Sequence, residues 1–304
     1  MKKNILCFLV LCIVASCLLL SGCGSKSPWV IVNDFKVTHT ANSNIEAFFN
    51  ENDGLTIGCN IGETHWTNDG GKTWTQAFGA SICKFSLDIV DKDIAWDGGD
   101  ENEICYSKDG GKTWTPVTDF IVPGPQTQID FIDDMTGWVA SPTGYGSTED
   151  GGITWARETL PEGVHNIAAI NIYTKDIGHI LSDDGKFCTT KDGGKTWSIQ
   201  DLGFDKMGMV DLYNNKGKLF ISILASADIS FKDENNGLIV FIALHPDEGY
   251  KTWALTTKDG GKTWSKEEIT AAEDFHPSTL YLSNDGKYLT LSTIEKRVIV
   301  LKHK

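Results

Sequence analysis

One eight-residue string recurs five times along this chain. TNDGGKTW at 67–74 returns as SKDGGKTW at 107–114, TEDGGITW at 148–155, and TKDGGKTW at both 190–197 and 257–264. Its aspartates, Asp69, Asp109, Asp150, Asp192 and Asp259, stand 40, 41, 42 and 67 residues apart. A period near 41 means one supersecondary unit repeated in tandem, and this limits the fold more than any other feature.

Each unit has a second landmark. NENDG (50–54), DKDIA (91–95), DDMTG (133–137) and TKDIG (174–178) precede the string by a near-constant distance, and DENNG (233–237) does so at a longer one. Around these turns run short alternating β-type segments such as SICKFSLDIV, QIDFIDD and IAAINIYT. Each period therefore holds four short strands, A to D. The first turn joins A to B, and the DGG string joins C to D. Antiparallel four-stranded units repeated in this way predict an all-β, single β-propeller. STLYLSN, KYLTLST and RVIVLKHK at the C-terminal end read as strands A, B and C without a D. PWVIVNDFKV near the start is a lone strand, so the N-terminal strand is expected to close the ring. Six blades are favoured and seven are possible, because residues 203–225 read as an insertion or a partial blade.

The string invites chemical readings. GGKT resembles the end of a phosphate-binding loop, but that motif needs an earlier glycine where Trp66, Tyr106, Thr189 and Thr256 stand. It also opens a helix, whereas this string joins two strands. Ile153 replaces the lysine in the third copy, which excludes a shared charge role. A calcium loop needs several alternating oxygen ligands, and each copy offers one reliable carboxylate. A structural role accounts for every position. Asp69, Asp109, Asp150, Asp192 and Asp259 accept turn N–H groups, the glycines take φ > 0, and Trp74, Trp114, Trp155, Trp197 and Trp264 pack between blades.

With its phasing established, S/T-x-D-x-G-x-T-W resembles the Asp-box (BNR) signature of sialidase-like propellers. The paired motifs look especially similar to photosystem II assembly- and stability-factor-like bacterial propellers, over roughly residues 45–265. The resemblance implies the fold and an assembly or scaffold role, with no functional residue carried over. A sialidase would need three arginines to grip a carboxylate. This chain has only Arg157 and Arg297, so that activity is excluded.

Lys2 and Lys3 precede an apolar run from Ile5 to Leu20 that ends in Leu20-Ser21-Gly22-Cys23. This is the layout of a signal peptide over 1–22, and its end resembles a bacterial lipobox. The resemblance implies lipidation at Cys23, a tether over 23–28, and a location outside the cytoplasm at the cell membrane; the repeat pattern then places the propeller over 29–304. The few residues after Cys23 reach at most about 18 Å. The formal charge of −14 falls to about −16 without Lys2 and Lys3, which argues against a nucleic-acid partner. Cys59, Cys83, Cys105 and Cys188 are scattered singly, so no metal site is expected. Buried thiols are the default reading, with Cys59–Cys83 the disulfide to test.

In Asp-box propellers the C–D turns lie on one face, so a ligand is expected on the other, among the B–C and D–A loops. The candidate ligand face comprises Asp97, Asp100, Glu101, Tyr145, Asp183, His245, Asp247, Glu248 and Tyr250. Asp184, Asp274, Phe120 and Phe275 are expected nearby. No catalytic residue, cofactor or metal is assigned. The expected function is non-catalytic binding of a protein or glycan partner by a monomer anchored through its N-terminal lipid. The alternative is a glycan hydrolase using paired loop carboxylates.

Overall fold

The computed structural model describes residues 27–37, 43–58, 64–79, 84–99, 104–117, 128–141, 144–164, 167–203, 227–245, 249–272 and 274–304. It contains six four-stranded antiparallel sheets, and the described residues hold no helix. Blade 1 is β2 (Ser43–Phe48), β3 (Gly54–Gly58), β4 (His65–Thr67) and β5 (Thr75–Gln76); it follows the lone N-terminal strand β1 (Trp29–Lys36). Blade 2 is β6 (Lys84–Ile89), β7 (Ala95–Gly99), β8 (Ile104–Ser107) and β9 (Thr115–Val117). Blade 3 is β10 (Gln128–Phe131), β11 (Gly137–Ser141), β12 (Gly144–Thr148) and β13 (Ala156–Glu158). Blade 4 is β14 (Ile167–Ile172), β15 (Gly178–Ser182), β16 (Lys186–Thr190) and β17 (Ser198–Asp201). Blade 5 is β18 (Ala227–Phe231), β19 (Gly237–His245), β20 (Gly249–Thr257) and β21 (Ser265–Ile269). Blade 6 is β22 (Thr279–Leu282), β23 (Tyr288–Ser292) and β24 (Arg297–His303), completed by β1.

The N-terminal strand does close the ring. β1 pairs antiparallel with β24, from Trp29 opposite His303 to Lys36 opposite Arg297. The innermost strands touch in cyclic order: β2, β6, β10, β14, β18, β22 and back to β2. β14 meets β18 directly, which leaves no place for a seventh blade between them. The stretch at 203–225, expected as an insertion or partial blade, falls almost wholly outside the described residues.

The core is divided among the seams. Six apolar clusters form, one between each pair of neighbouring blades. At the seam of blades 2 and 3, Trp96 stacks on Phe131 at 3.8 Å and 6°. At the next, Trp138 and Tyr145 meet Trp197 edge-on. At the seam of blades 4 and 5, His179 takes the equivalent place and stacks on Phe231 at 3.9 Å. Burial holds that imidazole neutral, with its pKa pushed down to about 3. Cys105 and Cys188 are free and buried, and burial pushes the Cys188 thiol up to about 12. Cys59 and Cys83 lie outside the described residues.

Candidate functional site

The five repeated strings fold alike. In the first, the Thr67 hydroxyl donates to Asp69 Oδ1 at 2.9 Å and accepts the Gly71 N–H at 3.1 Å. Asp69 also takes the Thr73 N–H at 2.9 Å and the Thr73 hydroxyl at 2.6 Å. The same bonds recur at Asp109, Asp150, Asp192 and Asp259. The Thr73 hydroxyl and N–H hold the Asp69 carboxyl down at about 2, and those of Thr263 do the same for Asp259. Both carboxylate oxygens are thus engaged by the turn itself. Trp74, Trp114, Trp155 and Trp197 each donate their indole N–H to the second glycine's carbonyl at 3.0–3.1 Å. Trp264 instead packs its ring edge-on against Phe187.

The two sequence landmarks are physically joined. The first glycine of each string donates its N–H to a carbonyl of the same blade's A–B turn: Gly70 to Asn52, Gly110 to Asp93, Gly151 to Met135, Gly193 to Asp176 and Gly260 to Asn235. Both turn types therefore share one face of the disc. The second glycine lies against the preceding blade. A Cβ on Gly194 would overlap the Tyr145 hydroxyl, and one on Gly261 would press on Phe187. Both glycines have φ near +85°, so no L side chain fits either position.

This packing removes Tyr145 from the candidate ligand face. It follows Gly144 at the start of strand β12, is fully buried, and supports the string of blade 4. Asp97 is likewise buried in mid-strand, opposite Leu87 and Cys105. Asp183 is 7% exposed. None of the three presents an open side chain. Asp184 is engaged with Lys186 and Ser182. Asp100, Glu101, Phe120, Asp247 and Glu248 lie outside the described residues. His245 ends strand β19 opposite Gly249.

Tyr250 does sit on an open surface, 51% exposed. It lines a cavity of about 180 Å³ with Thr252, Phe275 and His276, at the B–C and D–A end of blade 5. Lys251 pairs with Glu268 on one wall at 2.8 Å. Close by, Arg297 grips Asp34 with two nitrogens at 2.9–3.0 Å and reaches Asp274 at 3.0 Å. The arginine that a carboxylate-binding site would need is thus committed to internal partners.

Three carboxylates that the sequence pattern does not single out line the axis. Asp88, Asp130 and Asp228 sit on innermost strands. Asp88 and Asp130 are buried, and Asp228 is partly so. Each accepts an N–H from a neighbouring blade's innermost strand. Asp88 takes it from Phe131 at 2.7 Å, Asp130 from Ile172, and Asp228 from Leu282 at 2.9 Å. The Tyr281 hydroxyl of blade 6 reaches past blade 1 to accept the Ile89 N–H of blade 2 at 3.1 Å, and Thr290 on β23 accepts the Phe48 N–H of blade 1 at 3.0 Å. These bonds satisfy donors on the inner edge of each sheet, which would otherwise be buried without a partner. Burial pushes Asp88 and Asp228 up to about 7. It pushes Asp130 up as well, with the neighbouring Asp88 charge adding to the effect. Glycoside hydrolysis needs one proton donor and one ionised partner, their pKa values pushed apart, at an accessible site. Here all three groups shift the same way, and each is taken up by backbone N–H groups of the ring.

Two larger clefts open on the Asp-box face. One of about 300 Å³ lies between blades 4 and 5, lined by His179, Lys191, Gln200, Glu234 and Lys262. The other, about 320 Å³, lies between blades 5 and 6, lined by Lys232, Lys258, Lys287, His303 and Lys304. No cluster of metal-binding side chains occurs among the described residues. No described helix is long and apolar enough to cross a membrane.

Fold and turns together define a six-bladed β-propeller of the Asp-box type. The model of the BNR/Asp-box repeat matches residues 106–116, around the second string. No curated protein sequence matches the chain. Among solved structures, YCF48 bound to D1 peptide is similar at 15% identity and a TM-score of 0.56, covering 92% of this chain and 96% of that one. YCF48 from Cyanidioschyzon merolae is similar at 16% identity and 0.51, covering 90% and 98%. U3-55K is similar at 9% identity and 0.58, covering 90% and 98%. At these identities the likeness is one of fold.

Proposed function

We propose that this protein is a lipoprotein held outside the cytoplasm by a lipid on Cys23, and that its propeller binds a protein partner without catalysis. The binding surface is the face opposite the Asp boxes, centred on Tyr250. The observation that carries this reading is the Tyr250–Phe275–His276 cavity. It is smaller than the roughly 300–1,000 Å³ usual for small-molecule sites, so it fits one inserted side chain better than a sugar chain. Tyrosine with one face free is a common anchor of protein interfaces. The acidic balance of the chain favours a basic partner. One similar propeller, YCF48, is bound to D1 peptide, which lends support.

The test is affinity capture from membranes with the lipidated protein, beside its Tyr250→Ala variant and a glycan panel. The expected result is a discrete protein retained by the parent and lost from the variant. Hydrolysis of a glycan, with no Tyr250-dependent protein, would contradict the proposal.

A further inference from the structure

The chain enters the disc at a definable place. The Lys304 N–H donates to the Pro28 carbonyl at 2.9 Å, and Trp29 begins β1 opposite His303. In blade 6 the C–D connection is thus replaced by these two chain segments, on the face that carries the Asp boxes. Pro28 and Trp29, near the start of the described residues, thus lie on that face.

Two further features share the plane. The first is the cleft between blades 5 and 6. Lys232, Lys258, Lys287 and Lys304 line it, with one carboxylate side chain, Asp285. Asp285 is bound to Lys287 at 2.7 Å. Asp233, on the adjacent turn, is taken up by the N–H groups of Asn235 and Asn236. Glu234 lines the neighbouring cleft instead. Lys232, Lys258 and Lys304 make no ion pair among the described residues. In a chain of net charge −14, this is a local concentration of the opposite sign.

The second feature lies across the disc at blade 3. Ile153 is 76% exposed, and Met135 and Ile132 are also exposed. Ile153 occupies the position held by Lys72, Lys112, Lys195 and Lys262 in the other strings. Met135 replaces the Asn52, Asp93, Asp176 and Asn235 of the equivalent turns. The bond from Gly151 to the Met135 carbonyl holds the two turns together. Among the five strings, that of blade 3 alone carries an apolar tip where the repeat is polar.

We propose that the Asp-box face rests on an anionic phospholipid surface. The 5/6 cleft meets headgroup phosphates, and the blade 3 tip enters the interface. Lysines beside an entry point, with apolar side chains on the same plane, match how interfacial proteins hold membranes: basic side chains near the surface are drawn to anionic headgroups, and apolar side chains add to that attraction. The opposite face, with Tyr250, then points outward. This rests on the Cys23 anchor only for the nearness of a membrane.

The experiment places an environment-sensitive fluorescent amino acid at position 153 or position 250 of the lipidated full chain. Each protein is returned to vesicles of phosphatidylcholine, with or without phosphatidylglycerol and with a headgroup-labelled quencher lipid. Quenching at 153 but not at 250, dependent on phosphatidylglycerol and lost in the K232E/K258E/K304E variant, supports the proposal. Quenching at 250, equal quenching at both sites, or release by inorganic phosphate overturns it. The anchor is tested separately, by the mass of the N-terminal peptide for a lipidated Cys23. If that lipid is absent, docking is read from the unlipidated chain. Its binding to phosphatidylglycerol vesicles is expected to fall roughly 100-fold in the triple variant, and unchanged binding overturns the proposal.

Discussion

The two faces of the disc are built on different terms. On the Asp-box face the aspartates and glycines of the repeat are spent on the turns themselves. Five aspartates are engaged by their own turns, and five glycines tie each C–D turn to the A–B turn beside it. On the opposite face the loops differ from blade to blade, and Tyr250 stands free beside its cavity. The contrast teaches that repetition marks what holds the blades. Recognition belongs to departures from it, including Ile153 on the repeating face itself.

The contrast can be broken most strongly at a seam. Trp96 is fully buried and stacked on Phe131 near the Asp-box end of blade 2. Trp96→Ala should cost about 3–5 kcal/mol in chemical denaturation; a loss under about 1 kcal/mol would show that the seams are not the main support. The axial carboxylates come next. Asp88 and Asp228 have folded-state pKa values raised to about 7, so both bind protons more tightly in the folded protein than in the unfolded one. Their contribution is fully present below the ordinary carboxylate range, near pH 4, and is lost as pH rises through about 7. The slope is about 1.4 kcal/mol per pH unit for each group within that window. Asp88→Asn keeps an acceptor for the Phe131 N–H and removes the charge, so its stability should depend less on pH. A parallel dependence in variant and parent would refute the assignment.

A smaller effect is expected within one string. Ser107 is buried, donates to Asp109 and accepts the Gly111 N–H at 2.8 Å. Ser107→Ala should destabilise by about 1–2 kcal/mol, read as a shift in denaturation midpoint with an unchanged slope. The smallest effects sharpen the comparison from outside. Tyr250→Ala and Ile153→Asn should each change stability by less than about 0.5 kcal/mol. The first should abolish partner capture and the second should weaken membrane docking. Unfolding by either would place that side chain in the scaffold.

Blade number, strand order and ring closure are legible in the sequence because the strings are phased and their residues act locally. The axial carboxylates are not. Asp88 and Asp130 stand inside SLDIV and QIDFI, where an aspartate reads as one more polar position of an alternating strand; only the ring brings each to its neighbour's N–H. Tyr145 misleads for a related reason. The segment around it reads as a polar loop, SPTGYG, yet β12 begins at Gly144, and the next blade covers the ring. Tyr250 is likewise the second residue of its strand, opposite Leu244, but β19 and β20 are nine residues long and its ring stays 51% exposed. Of the expected ligand face, the structure therefore keeps Tyr250 in the open and takes Asp97, Tyr145 and Asp183 into the blades.

The division of labour between the faces is tested most directly by photocrosslinking in native membranes, with a photoreactive amino acid at position 250 or at position 153. A discrete protein adduct from position 250, with lipid adducts alone from position 153, is the predicted result. A discrete protein adduct from position 153 and none from position 250 would contradict it.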